Sequence, residues 1–263
     1  DGIRDVAVTG VQKCALPISV QANILSGQIS GMLLLDVIPL SLGIETMGGV
    51  VGKIIHRNST IPISASETFT TYVDGQTSVD IHILQGEREL VKDNRSLSRF
   101  QLRGLPPLPA GIPKIEVEFI IDANGILNVK ATELRTSTTA SVCVNPSYGL
   151  NDAEVEKMLF DSFENAEKDF EERFLIEARV EADHLLRATQ KSLIKGKSLV
   201  DQAELQSIEK AMAVLQSSLG ETDRKIIKAN IEVLGETTKH MAELLLNQAV
   251  QEALQGKKIG ETP

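Results

Sequence analysis

The chain has no tryptophan, two cysteines and four histidines among 263 residues. Two thiols, Cys14 and Cys143, supply neither a disulfide framework nor a metal set. His56, His82, His184 and His240 are scattered, and the H-E-x-x-H spacing of a zinc hydrolase is missing. So are a G-x-S-x-G nucleophile elbow and a phosphate-cradling P-loop. No apolar run reaches the roughly 18 residues of a membrane span. There is no basic surplus either. The formal charge is −9, which argues against a nucleic-acid binder. What remains is ample apolar material, 42% of residues, for a substantial core. The chain begins at Asp1 without a methionine and reads as a fragment.

The charge is uneven. Residues 1–148 hold 14 acids and 12 bases, whereas residues 149–263 hold 22 acids and 15 bases. The period changes at the same place. Residues 33–146 read as short strands. "ETFTTYV" and "TSVDIHIL" flank Asp74-Gly75, which predicts a hairpin. "KIEVEFIIDANGILNVKATE" predicts another, turning at Asn124-Gly125. In it Ile115, Val117, Phe119 and Ile121 share one face, with Glu116 and Glu118 on the other. "VVGKIIH", "SRFQL" and "ASVCV" supply further strands, and Cys143 in the last is expected to pack as a small hydrophobe. "LRGLPPLPAGIP" carries four prolines and two glycines and must be a loop. The pattern predicts an antiparallel β-sandwich.

After "PSYGL" the apolar residues recur at three and four. Asn151 and Glu154 resemble a capping box. A long amphipathic helix follows from Asp152 to about residue 195, broken near residue 164 and ended at Gly196. A second helix fits Asp201–Leu219. A third fits Thr222–Leu254, with a weak point at Gly235. The fold class is therefore α+β, a sandwich followed by a helical bundle whose acidic surplus lies on solvated faces.

Catalytic signals are thin. Asp80 and His82 share a strand face without a serine or cysteine partner, and read as a satisfied surface pair. Glu87 and Glu89 flank Arg88 and read as a solvated strand end. A binding role fares better. Ile44, Thr46, Met47, Val50, Val79 and Ile81 cluster where strands meet loops, and Gly48-Gly49 lets another backbone approach. Spacing alone favours plain sandwich core over a peptide site.

"LLLDVIPLSLGIETMGGVVGKIIHRNSTIP" (residues 33–62) resembles the interdomain linker and first strands of the seventy-kilodalton heat-shock chaperones. "TSVDIHILQGERELVKDN", "IEVEFIIDANGILNV" and "YGLNDAEVEKML" match later segments of the family in order. The resemblance runs from about residue 20 to the end. It implies an ATPase domain, which would carry ATP and magnesium, joined by an apolar linker to a peptide-binding sandwich under a helical lid. Here Val20–Gly27 looks like the last helix of the ATPase domain. The rest of that domain is missing, so this chain is expected to have no catalytic residues, cofactor or metal of its own. Residues 1–31 are set apart. Within them "TGVQKCALPIS" resembles translated adapter sequence, so residues 1–19, with Cys14, read as an artefact.

The resemblance assigns Met32–Val37 to the linker, with Leu33, Leu34, Leu35 and Asp36 central, residues 38–148 to the sandwich and 149–263 to the lid. It assigns the peptide pocket to Ile44, Met47, Val50, Val79, Ile81 and Ile115. Thr46, Thr70 and Gln101 would border the peptide backbone, and Met47 and Tyr72 would arch over it. Two departures stand out. Tyr72 takes a position that is small in general members and narrows the channel. Asp183 takes the place of the latch acid, but Ala110 stands where its basic partner is usual. These features, with "GERELVKDNRSLSRFQLRGLPPLPAG", resemble a branch that assists iron–sulfur cluster assembly in the bacterial cytoplasm, or less often the mitochondrial matrix. Its client is a scaffold protein with a Leu-Pro-Pro-Val-Lys motif, delivered by a J-domain co-chaperone. The alternatives are a general chaperone with broad unfolded clients, tied to the stress response, and a structural module without a peptide site.

Overall fold

The computed structural model describes residues 36–146 and 150–255. Residues 1–35 lie outside the described residues, and with them Cys14 and the linker residues Met32, Leu33, Leu34 and Leu35. Eight strands and four helices follow in order. They are β1 (Leu42–Thr46), β2 (Val50–Ile55), β3 (Ile63–Thr70), β4 (Ser78–Gln85), β5 (Arg95–Arg103), β6 (Lys114–Ile121), β7 (Leu127–Glu133), β8 (Thr139–Val144), α1 (Asp152–Glu164), α2 (Ala166–Gly196), α3 (Gln202–Ser218) and α4 (Arg224–Gln255). The strands form two four-stranded sheets, ordered β2-β1-β4-β5 and β3-β6-β7-β8. The fold is α+β, with a β-sandwich and a helical part. No helix among the described residues is long and apolar enough to cross a membrane.

Two compact units divide the chain. One holds the β3-β6-β7-β8 sheet with its loops. Here the alternation read from the sequence holds. Ile115, Val117, Phe119 and Ile121 are buried, and their β7 neighbours Ala131, Val129 and Leu127 pair with Val117, Phe119 and Ile121. Asp122 builds the Asn124-Gly125 turn, its carboxylate accepting from the amides of Asn124 and Ile126 at 2.9 Å each. At the other end Glu133 is buried opposite Ile115. The Thr136 hydroxyl and amide donate to it at 2.6 Å and hold its carboxyl below the usual range against the effect of burial.

Asp74-Gly75 is not a hairpin turn. β3 and β4 belong to different sheets, and the turn is bound elsewhere. Ala110 N–H donates to the Asp74 carboxylate at 2.8 Å and Gly75 N–H to Leu108 O at 2.9 Å. Leu105 N–H to Thr77 O and Gly111 N–H to Thr71 O complete the zip. The proline loop has few amides; those of Leu105, Ala110 and Gly111 go to residues 71–77, and those of Leu108 and Ile112 bond within the loop to Pro106 O and Pro109 O. Cys143 is a second correction. It is exposed, because β8 turns its odd-numbered side chains to the open side.

The other unit holds the β2-β1-β4-β5 sheet and the helices. Gly43 is required in β1 because a Cβ there would lie 2.2 Å from Gly52 O on β2. In the helices, the Asn151 side chain accepts from Glu154 N–H at 2.9 Å while Asn151 N–H donates to the Glu154 carboxylate at 3.0 Å, so the capping box is real. The break expected near residue 164 is one residue wide, at Asn165. Asp201 caps α3 through Glu204 N–H. Gly235 does not interrupt α4. Glycine costs a helix only about 1 kcal/mol, and the neighbouring buried Leu234 and half-buried Ile231 hold that turn by packing. Ala178, Ala182 and Leu186 of α2 meet Ala211 and Leu215 of α3 and Ile227 and Leu234 of α4, the alanines letting the helices come close. Leu215 is fully buried there. Leu215→Ala is expected to destabilise the bundle by about 3 kcal/mol, read as a lower urea midpoint by far-UV circular dichroism.

Candidate peptide-binding site and helix anchor

The ten residues assigned to the peptide site divide between the two units. Seven lie on the β2-β1-β4-β5 side. Ile44 pairs with Ile83 and Leu42 with Gln85, so even positions of β1 and odd positions of β4 share a face. That face brings together Ile44, Thr46, Val79 and Ile81. Ile44 and Ile81 are buried, as is Val50 at the start of β2, whereas Val79 is half-buried. Thr46 closes the β1–β2 turn. Its hydroxyl donates to Val50 O at 3.0 Å and its carbonyl accepts from Gly49 N–H. Met47, at the tip of that turn, is 49% exposed. Gln101, near the end of β5, is exposed. In the other unit Thr70 ends β3, exposed and paired with Lys114. Tyr72 follows, half-buried, its amide donating to the Gln76 side chain at 3.2 Å. Ile115 is buried on β6. Of the linker, Asp36 and Val37 are described, the Asp36 carboxylate accepting from Val37 N–H at 3.0 Å.

The loop between β4 and β5 holds what sequence reasoning missed. Glu87–Glu89 is no solvated strand end. Arg88 reaches α2 and donates through Nε and Nη2 to the two oxygens of Asp169, the second bond 2.8 Å long. Glu89, 7% exposed, accepts from Lys53 Nζ at 2.9 Å and from Arg173 of α2. Lys92 pairs with Glu172 at 2.9 Å in solvent, where such a pair contributes little. Asn94 stiffens the loop. Its side chain accepts from Arg88 N–H and donates to Arg88 O and Leu90 O. The available signal was charge order. Arg88-Glu89 is matched in reverse by Asp169 and Arg173, which lie one helical turn apart on one face of α2. The pKa values follow. The Arg88 hydrogen bond holds Asp169 below the usual carboxylate range, and Asp169 in turn raises Arg88. Burial pushes Glu89 up, but the hydrogen bonds and charges of Lys53 and Arg173 outweigh it and leave Glu89 lowered. Asp183 is held along its own helix by Arg187 Nε at 2.8 Å.

The profile of the family described as "Hsp70 protein" matches residues 10–247. The chain belongs to the Hsp70 family. The match starts inside residues 1–19, the stretch that the sequence sets apart. The chain is 48% identical over 250 residues to the chaperone protein HscA homolog of Janthinobacterium sp. (strain Marseille), covering 94% of this chain and 40% of the relative. It is 48% identical over 253 residues to the HscA homolog of Burkholderia thailandensis, covering 95% and 41%. It is 47% identical over 247 residues to that of Delftia acidovorans, covering 93% and 40%. It thus spans about two fifths of the length of the curated relatives it matches.

In this Hsp70 chain His82 is not half of a surface pair with Asp80. It is buried. Nδ1 lies 2.7 Å from the Glu45 carboxylate and Nε2 lies 2.8 Å from Ser96 Oγ, with Arg99 donating to the same Glu45. The connectivity is that of a hydrolase triad. Ser96, however, lies within strand β5, where successive amides point to opposite sides and cannot converge on one oxyanion. The trio ties β1, β4 and β5 together.

The anchor carries its own pH dependence. Asp169 and Glu89 have folded pKa values below their unfolded ones, so their stabilisation is present above the unfolded carboxyl range of about 4 and is lost as pH falls through the folded values. Arg88→Ala strands the buried Asp169 and is expected to cost about 3 kcal/mol at neutral pH. The deficit against wild type should shrink as pH drops below about 4. Urea titrations at neutral and acid pH measure both.

Proposed function

We propose that this chain is the peptide-binding part of an ATP-dependent chaperone that acts in iron–sulfur cluster assembly. Residues 38–148 form the peptide-binding sandwich, residues 149–263 its lid, and Met32–Val37 the linker to an ATPase domain that holds ATP and magnesium. The client is an extended apolar or proline-bearing peptide of a scaffold protein, brought by a J-domain co-chaperone in the bacterial cytoplasm. The family membership and the HscA homologs that match nearly the whole chain support this reading. The observation that carries it on the molecule is the β1–β2 turn. It presents an exposed Met47 beside an apolar face of Ile44, Val79 and Ile81, and a polarisable, unbranched side chain there suits adaptable apolar recognition.

Ile44, Thr46, Met47, Val50, Thr70, Tyr72, Val79, Ile81, Gln101 and Ile115 are assigned to the peptide. A pocket that buries one apolar side chain supplies about 1.5–3 kcal/mol, so binding without nucleotide is modest. Val79→Phe fills the half-buried position and is expected to weaken binding of a labelled Leu-Pro-Pro-Val-Lys peptide by about tenfold to a hundredfold in fluorescence anisotropy. Unchanged affinity removes Val79 from the site. A wild-type preference for generic leucine-rich peptides over the Pro-Pro peptide replaces the iron–sulfur client with broad clients.

Tyr72→Ala opens the arch and is expected to move the ratio of the two dissociation constants toward the leucine-rich peptide. A ratio that does not move takes Tyr72 out of client selection.

A further inference from the structure

The first turns of α2 present an exposed face built from two kinds of side chain. Glu167, Phe170, Glu171 and Phe174 follow at spacings of three and four and share that face. Phe170 and Phe174 are 47% and 41% exposed, and their ring centroids lie 6.4 Å apart. All four residues line one wall of a groove of about 570 Å³, whose other wall carries Arg224 and Lys225 at the start of α4. Both carboxylates are exposed, and neither has an ion-pair partner among the described residues. Like charges four residues apart on a helix repel when nothing pairs them. Exposed rings interleaved with unpaired acids are the chemistry that holds an organic cation, the ring faces attracting it and the carboxylates taking its N–H donors. The groove already shows half of this. The Arg224 guanidinium lies 4.6 Å from the Phe174 centroid. Phe170 holds no cation of its own among the described residues.

We propose that this face of α2 is a docking site for an arginine side chain on a basic segment of a partner protein. The guanidinium stacks on Phe170 and donates to Glu167 and Glu171, while its aliphatic stem covers apolar surface in the groove. Arginine suits the site better than lysine, because a planar fork can lie on a ring and still reach carboxylates. The net charge of −9 draws a basic partner toward the chain. Arg224 and Lys225 repel further cations from the far wall, so the site takes one arginine placed on the α2 side and not a run of them. The inference does not rest on the peptide-binding reading.

Nuclear magnetic resonance titration of the full chain with an Ala-Gly-Arg-Gly-Ala peptide, blocked at both ends, tests it. The probe has no large apolar side chain to occupy the candidate peptide site, so the two readings fail separately. Saturable amide shifts are expected at residues 167–175 and 222–225, with a dissociation constant of about 1–10 mM. The citrulline counterpart keeps the shape without the charge and should bind about fivefold more weakly or less. Phe170→Leu, which keeps an apolar side chain without the ring, and Glu171→Gln should each weaken binding about two- to fivefold. Arg224→Gln removes a competing cation and bares Phe174, and should strengthen binding about twofold. All three positions are exposed, and circular dichroism confirms that each variant is folded. No saturable shift up to about 30 mM overturns the proposal. So does a citrulline peptide that binds equally well, which makes the groove a plain apolar surface. Affinity that neither Phe170→Leu nor Glu171→Gln lowers, or that Arg224→Gln lowers, overturns it as well, since the arginine then sits elsewhere.

Discussion

A carboxylate withdrawn from water must be met by a charge of opposite sign in good geometry, and Asp169 on α2 is such a group, 2% exposed. Arg88 meets it with two donors of a planar fork. The geometry holds only because Asn94 fixes the backbone of the loop that carries Arg88. Everything else about how the long helix meets the β4–β5 loop follows from that demand. A half-made contact would leave a buried ion without a partner, which is the costly state. The helix therefore stays docked on the loop or leaves it with Asp169 hydrated, and positions between the two are unfavourable.

Glu89 extends the same constraint into the sheet. It is bound by Arg173 from the helix and by Lys53 from β2, so one carboxylate ties both. Lys53 also donates to Glu87 O at 2.9 Å. Backbone bonds run alongside, from Val51 N–H to Glu89 O and from Val91 N–H to Gly49 O, each 2.9 Å. Neither β2 nor the loop can shift without breaking bonds to the other.

Much of this fold is legible in the sequence, and the failures have a common physical form. The Asn151 cap, the break at residue 165 and the turn at Asn124-Gly125 are local devices, and each reads correctly from neighbours a few residues apart. Asp74-Gly75 is an equally good local signal. It fails because turn chemistry reports that the chain reverses and not which sheet it rejoins. Cys143 and His82 sit in alternating strands, where the pattern gives two faces but not which one is covered. Arg88 and Glu89 look like surface charges because their partners are 81 and 84 residues away. The candidate peptide site shares that ambiguity. Ile44, Val50 and Ile81 alternate as core residues do, and a pocket wall and a core wall demand the same side chains. Resemblance to the Hsp70 family supplies the assignment that periodicity could not.

The anchor and the candidate site meet at one glycine. Gly48 lies in the left-handed region at φ +84°, and a Cβ there would come within 2.3 Å of Ile176 Cγ2 on α2. The β1–β2 turn thus meets the helix with bare backbone on its own side, against the branched side chains of Ile176 and Val180. Ile176 lies seven residues beyond Asp169, two helical turns along the same face. Fixing α2 at Asp169 and Arg173 therefore fixes where Ile176 presses on the turn. Met47 is the residue before Gly48, in a turn closed by the Thr46 hydroxyl on Val50 O and by Gly49 N–H on Thr46 O and tied to the β4–β5 loop by Val91 N–H on Gly49 O. A helix that swings away at the anchor removes Ile176 and Val180 from Gly48 together, and the exposed Met47 is the group with the freedom to respond.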